Sequence, residues 1–145
     1  MLVERFFEKY LQASIAQQNV HIISVGGLSF KRYLEVAQCL NIKTAVITDN
    51  DKDYNSKVDH RYNSFICDSI KVFSDADNER YTFEVCFYKD NTEMCDTLFK
   101  DKKGGAMTLD YMLNNKTSCA FDIMECDKAY NIPQYIKSAI EWVSE

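Results

Sequence analysis

The spacing of apolar residues divides the first half of the chain into alternating strands and helices. Two short apolar stretches, MLVE at the start and VHIISV at residues 20–25, are predicted to be strands. A helix is predicted between them over residues 5–18, where apolar residues recur every four positions. A second helix is predicted from a cap at Ser29 to about Leu40, because its apolar residues form a single stripe.

Two more apolar runs complete the predicted sheet. They are TAVIT at residues 44–48 and IKVF at residues 70–73. Both contain β-branched residues, which favour strands. Strands that are separated by helices of this length favour a parallel sheet, because each crossover must return the chain to the same sheet edge. We therefore predict an α/β fold with a central, mainly parallel four-stranded sheet flanked by helices.

The second half of the chain is predicted to be a mainly helical part. Helices are predicted over residues 83–100 and 117–126. From Ile132 onward, apolar residues recur at i, i+3, i+4, i+7, i+8 and i+11, and Pro133 suits the first turn of a helix. A chain of 145 residues is long enough for one domain with its own core, so we predict a single domain over residues 1–145.

Composition and charge narrow the class of protein. Hydrophobic residues make up 46% of the chain, which argues against disorder. No apolar run approaches the length that spans a bilayer, and the first residues lack the pattern of a signal peptide, so we expect a cytoplasmic protein without membrane contact. The net charge of −5 argues against a stand-alone, high-affinity nucleic-acid binder. It remains compatible with an enzyme that acts on phosphates through bound cations.

The six cysteines do not have the spacing of a metal site. None of them forms a CxxC pair, and the chain has only two histidines. Reduced thiols in the cytoplasm are therefore the first interpretation, and a structural zinc site is the alternative.

Carboxylates cluster where the third predicted strand ends. In KTAVITDNDKD, the acids Asp49, Asp51 and Asp53 occupy alternate positions. One interpretation is a solvated acidic turn, and the other is a cation site. Glu4 is predicted to end the first strand, and Glu8 follows one helical turn later. Because the carboxyl ends of parallel strands share an edge, Glu4, Glu8, Asp49 and Asp51 are expected to converge on an oxygen-only site of the kind that Mg²⁺ or Mn²⁺ prefers, with Asp53 peripheral to it.

Several segments resemble one family. LVERFFE, ISVGGLSFKRYL and AVITDND are similar to the Toprim domain of the OLD (overcoming lysogenization defect) family of ATP-dependent endonucleases. That family has a glutamate at the end of its first strand, a second glutamate four residues later, and an Asp-x-Asp motif after a hydrophobic strand. The segments YTFEVCF, NNKTSCAFDI and IPQYIKSAIEWV resemble later parts of the same domain. The resemblance implies a Rossmann-like Toprim fold.

The resemblance also implies a site. The metal-binding acids would be the five residues Glu4, Glu8, Asp49, Asp51 and Glu84. Lys116 would be the active-site lysine, acting in catalysis together with Glu4, Asp49 and Asp51. The cofactors would be two Mg²⁺ or Mn²⁺ ions. The chain departs from the family pattern at Arg5, where a glycine is usual, and at the VCF that follows Glu84, where an aromatic-aspartate pair is common.

These observations lead to one expected function and two alternatives. We expect a nuclease or nickase domain that hydrolyses DNA phosphodiester bonds by a two-metal mechanism. Its partners would be DNA and, as the resemblance implies, an ATPase domain or subunit, since the OLD family joins this domain to an ATPase and the chain has no Walker A motif of its own. The oligomeric state is left open, with a homo-oligomer as one option. The alternatives are a haloacid-dehalogenase-like phosphotransferase that uses an aspartate of the Asp-x-Asp motif, and a catalytically degenerate Toprim domain that acts in binding or as a scaffold.

Overall fold

The computed structural model describes residues 2–26 and 30–145. The elements follow one another in the order α1 (Leu2–Leu11), α2 (Phe30–Cys39), β1 (Thr44–Ile47), a π-helical turn (Asn55–Asp59) that leads into α3 (His60–Tyr62), β2 (Ile70–Phe73), α4 (Phe83–Asp90), α5 (Thr92–Leu98), α6 (Thr108–Asn114), α7 (Lys116–Glu125) and α8 (Gln134–Ser144). The chain is therefore a mixed α/β protein, as predicted, with a helical second half.

The sheet consists of β1 and β2, which pair in parallel. Their register runs from Thr44 opposite Ile70 to Ile47 opposite Phe73. Both strands were predicted from the sequence, and so was their parallel direction. The four-stranded sheet is not found within residues 2–26 and 30–145, where these two strands form the whole sheet.

The predicted first strand is wrong, because MLVE lies at the start of a helix. In α1 the apolar residues occupy positions 2, 3, 6, 7, 10 and 11, and this spacing of three and four residues continues the helical period to the beginning of the described chain. Phe6 and Phe7 are fully buried by this arrangement, being 0% and 2% exposed. Glu4 in the first turn and Lys9 in the last turn suit the dipole of the helix.

The second predicted strand is also wrong. Residues 20–26 form no regular secondary structure. The backbone N–H of Val20 donates to the carbonyl of Ile15, and Ile23 is 61% exposed. This segment therefore does not pair as a strand, although its apolar residues alternate. The proposed helix cap at Ser29 lies outside the described residues.

Helices cover both faces of the small sheet. On one face, Ile70 is buried with Phe30 and Leu34 of α2, and Val46 and Val72 pack against the same group. On the other face, α8 packs across both strands, and its Trp142 ring lies 6.0 Å from that of Phe73. Side chains alternate between the two faces of a strand, so four-residue strands can serve two cores.

The main core lies among the helices of the second half and α1. Its fully buried members include Phe6, Phe87, Phe99, Met112, Ile123 and Ile136. The helix predicted over residues 83–100 is divided at Asn91, whose side chain donates to the carbonyls of Phe87 and Asn131. The side-chain Oδ1 of Asn91 also accepts a 2.6 Å hydrogen bond from the backbone N–H of Asn131, so this buried amide ties two parts of the chain together. The predicted helices over 117–126 and after Pro133 are present as α7 and α8.

Candidate active site at the end of the first strand

Asp49 lies at the carboxyl end of β1 and caps a helix that begins far along the chain. Its Oδ1 accepts a hydrogen bond of 3.0 Å from the backbone N–H of Phe83, the first residue of α4. The side chain of Thr82, the N-cap residue, accepts from the N–H of Val85. The N-terminal N–H groups of a helix need acceptors, and here a carboxylate from β1 supplies one.

This cap places Glu84 next to the end of β1. Glu84 is only 8% exposed, although it is an acid. Its Oε2 lies 3.0 Å from Nζ of Lys116, the first residue of α7, whose side chain is half exposed. The two side chains are close enough for an ion pair, but their geometry is not that of a hydrogen bond. Oε2 of Glu84 therefore has no hydrogen-bond partner. The site thus contains a buried carboxylate oxygen that is compensated by charge alone.

The electrostatics of Asp49 show that these groups act on one another. The pKa of Asp49 is raised from 3.8 to about 6, first by burial and then by the negative charge of Glu84. The charge of Lys116 and the hydrogen bond from Phe83 oppose this rise, and Asp51 adds to it slightly. Three of the predicted site residues, Asp49, Glu84 and Lys116, are therefore brought together from separate segments, with Asp51 beside them.

Asn50 is a site residue that the sequence reasoning missed. It is 1% exposed, and its amide donates to the carbonyls of Asp75 and Asp77 at 2.8 and 3.0 Å. Its Oδ1 accepts the N–H of Lys52, so every polar atom of the side chain is used. Asp51 follows with a positive φ of 49° and is exposed to solvent. The buried amide thus fixes the turn that carries the two flanking acids.

An apolar cavity opens beside the acids. It has a volume of about 430 Å³, and Asp49 and Asp51 lie at its polar side. The rest of its lining comes from α1, β1, α4 and α8, namely Leu2, Val3, Phe6, Ile47, Thr48, Phe83, Tyr135 and Ile136.

The two glutamates of α1 are not part of this cavity lining. Glu4 and Glu8 each lie two residues from Phe6, which lines the cavity, and at about 100° per residue this places both of them about 160° around the helix from it. Glu8 instead lines a separate depression together with Arg5. Glu4 lies in the first turn of α1 and not at the end of a strand, so the geometric reason given for its convergence with Asp49 is wrong. The roles of Glu4 and Glu8 remain predictions.

The structure supports a site for one hard cation at two acids more than it supports the predicted site of five acids. Within residues 2–26 and 30–145, no group of three or more His, Cys, Asp or Glu side chains is placed to hold a metal ion. Asp49 and Glu84 nevertheless offer oxygen donors, and one of those oxygens lacks a hydrogen bond. Mg²⁺ is commonly held by one or two carboxylates, with water and substrate phosphates completing its shell. The residues present therefore suit one such ion at Asp49 and Glu84.

Comparison with known proteins supports the resemblance for the first part of the chain. The family model described as "Overcoming lysogenization defect protein-like, TOPRIM domain" matches residues 1–51. The match ends at Asp51 and thus includes the Asp-x-Asp motif, and it confirms the resemblance over these residues. Glu84 and Lys116 lie outside it. Neither the curated proteins nor the solved structures gave a significant match.

Proposed function

We propose that this chain is a divalent-metal-dependent nuclease domain that hydrolyses phosphodiester bonds of DNA. The observation that carries the proposal is the meeting of Asp49, Glu84 and Lys116 at the end of β1. A Toprim-type domain suggests a metal-binding function of the nuclease or primase kind. An acidic pair that can hold a cation, with one lysine beside it, is a combination that supports such chemistry on phosphates.

Each of the three residues has a distinct role in this proposal. Asp49 and Glu84 would hold a Mg²⁺ or Mn²⁺ ion, which when bound would activate water and stabilise the leaving oxygen. Asp49 is oriented by the N–H of Phe83, and Glu84 by its position in the first turn of α4. The ammonium group of Lys116 would balance the charge that develops on the phosphate, and its half-exposed side chain leaves it accessible to a bound strand.

A two-metal mechanism would need more ligands than Asp49 and Glu84. Asp51 is close enough to act on Asp49 electrostatically and is the nearest additional acid by that criterion. Glu4 and Glu8 do not line the cavity that Asp49 and Asp51 border, so their part in a second metal site stays a prediction. A phosphate of the substrate could instead supply oxygen ligands, as it does in many Mg²⁺ enzymes.

The acidic balance of the chain favours a partner that binds DNA. A net charge of −5 gives little affinity for the phosphate backbone. We propose that an ATPase domain or subunit holds the DNA and that the present domain cuts it. The isolated chain would then bind DNA weakly.

One structural observation favours a phosphotransferase as the second candidate. In that class the Asp-x-Asp motif follows the first strand, and β1 is the first strand of the described chain. Asp49 would then attack phosphate as a nucleophile. A cation at Arg5 beside the site would favour the scaffold alternative, but Arg5 is exposed and lines a different depression from Asp49.

Nicking of a supercoiled plasmid tests the proposal against both alternatives. The chain would be incubated with plasmid in Mn²⁺, in Mg²⁺ and in EDTA, and in parallel with p-nitrophenyl phosphate. We expect metal-dependent nicking and no release of nitrophenol. Release of nitrophenol without nicking would support the phosphotransferase, and the absence of both activities, with the predicted ATPase partner also supplied, would support the scaffold.

A further inference from the structure

Lys116 contacts a side chain that the proposed function assigns to the metal ion. Its Nζ lies 3.0 Å from Oε2 of Glu84, the oxygen that has no hydrogen-bond partner. The side chain of Glu84 is 10% exposed, whereas that of Lys116 is 50% exposed. The ammonium group of Lys116 therefore approaches the buried carboxylate of Glu84 from the solvent side, on a flexible side chain.

Resting on the proposed function, we infer that Lys116 and a divalent cation compete for Glu84. The ammonium group is the internal counter-ion of this carboxylate, and the divalent ion takes its place. An ammonium group cannot ligate a cation, so a lysine that merely lies near the site would affect metal binding little. The contact with Glu84 changes that expectation, because the same oxygen cannot serve both cations at full strength.

The charge of Lys116 weakens metal binding at Glu84 in two ways. A buried carboxylate without a counter-charge is costly, so Glu84 keeps a cation beside it whenever it is ionised. A divalent ion that binds there must displace the ammonium group and also approach its positive charge. Both effects lower the affinity of the wild-type site for metal. Because Lys116 is at the first residue of α7 and half exposed, its side chain can move away without disturbing the helix.

The displaced lysine would serve the chemistry. Once released from Glu84, the ammonium group stays near the site and is available to a phosphate oxygen. Metal loading would thereby prepare Lys116 for substrate. Lys116 is thus a positioning residue for Glu84 in addition to the catalytic role proposed above.

Calorimetric titration with MnCl₂ tests this inference without measuring activity. We expect Lys116→Met to bind Mn²⁺ roughly tenfold more tightly than wild type, the order expected when a unit charge beside a ligand is removed in a partly solvated site. Lys116→Arg keeps the charge and should bind Mn²⁺ about as wild type does. The matched control is Lys102→Met, since Lys102 also forms an ion pair, with Asp122 at 2.6 Å, and its side chain is 49% exposed. It should change Mn²⁺ affinity less than twofold.

A second measurement separates competition at Glu84 from a general effect of charge. In a Glu84→Gln background, Lys116→Met should tighten Mn²⁺ binding much less than it does beside Glu84. Thermal melts give an independent readout, because Mn²⁺ should raise the Tm of Lys116→Met more than that of wild type, relative to EDTA.

The outcomes distinguish this inference from the proposed function. Equal or weaker Mn²⁺ binding by Lys116→Met would overturn the inference, and wild-type nicking in Mn²⁺ would still support the nuclease. An equal gain in the presence and absence of the Glu84 carboxylate would also overturn it. Failure of the wild-type chain to bind Mn²⁺ at millimolar concentration would overturn both the inference and the nuclease.

Discussion

The backbone N–H of Phe83 donates a 3.0 Å hydrogen bond to Oδ1 of Asp49 and so joins the end of β1 to the beginning of α4. This one contact sets the position of Glu84, the next residue along the chain. It also places the Asp49 carboxylate where it is partly buried and close to a second acid. The acids of the candidate site are therefore fixed by the capping of a helix as well as by the sheet.

The raised pKa of Asp49 predicts how stability depends on pH in the absence of metal. Folding raises this pKa from 3.8 to about 6, so the carboxyl stabilises the fold when protonated. That contribution is fully present below about pH 4 and is lost as the pH rises through about 6. Asp49→Asn should therefore raise the free energy of unfolding at pH 8 by about 1–2 kcal/mol, a figure reduced for partial solvent exposure, and change it little at pH 4.

Urea unfolding in EDTA at the two pH values measures this difference. Asp53→Asn is the matched control, because Asp53 is an exposed acid of the same turn. Its pKa is lowered by its hydrogen bond with Ser56, which is the opposite direction to that of Asp49. Equal free energies of unfolding for Asp49→Asn and wild type at pH 8 would show that the ionised Asp49 carboxylate does not destabilise the fold.

The buried amide of Asn50 should be important for stability. Asn50→Ala removes the donor to two carbonyls and the acceptor of the Lys52 N–H. Leaving such buried groups unpaired costs about 2–3 kcal/mol. Asn63→Ala, at an exposed position, serves as the control in the same urea experiment. A loss below about 0.5 kcal/mol in Asn50→Ala would contradict the role given to this side chain.

The end of β1 and helix α8 were easier to predict from the sequence than the start of the chain. The apolar run of β1, followed at once by Asp49, is a strong local pattern, and so is the long apolar stripe of α8. The start of the chain was ambiguous, because so short an apolar run suits a strand or a helix, and only the packing of Phe6 and Phe7 decides for the helix. The error placed Glu4 at the end of a strand, whereas the structure has it in the first turn of α1.

Other features left no usable signal in the sequence. An asparagine between two aspartates suggests an exposed turn, so the burial of Asn50 could not be read from its neighbours. The proximity of Glu84 and Lys116 depends on how α4 and α7 pack, which periodicity does not specify. Their assignment came from the family resemblance, and the structure brings them together independently of it.

The cysteines should behave as inert thiols with two exceptions. Burial raises the pKa of Cys86 and Cys95 to about 12 and that of Cys119 to about 11. Cys39 is exposed, and the pKa of Cys67 is lowered by its hydrogen bond with Ser69. Since thiolates are the reactive species, Ellman's reagent at pH 8 should label these two rapidly and the others only on unfolding. Rapid labelling of more than two thiols in the native protein, or stoichiometric zinc after purification, would contradict this account.

Lys116 should affect the rate of cleavage as well as the affinity for metal. At saturating Mn²⁺, Lys116→Met should nick plasmid on the order of a hundredfold more slowly than wild type, which is the usual loss for a missing electrostatic donor. Lys102→Met should nick at close to the wild-type rate, because its ion pair is with Asp122. Normal nicking by Lys116→Met would leave Lys116 as a solvated neighbour of the site.

The rate of Mn²⁺-dependent plasmid nicking by Asp49→Asn and Asp53→Asn, measured side by side, tests the central claim most directly. The two substitutions remove the same charge from the same turn, four residues apart. Asp49 is joined to α4 and acts on Glu84, whereas Asp53 is exposed and bonded to Ser56. We predict a loss of a hundredfold or more for Asp49→Asn and near wild-type nicking for Asp53→Asn. Equal rates for the two variants would contradict a metal-dependent active site at Asp49.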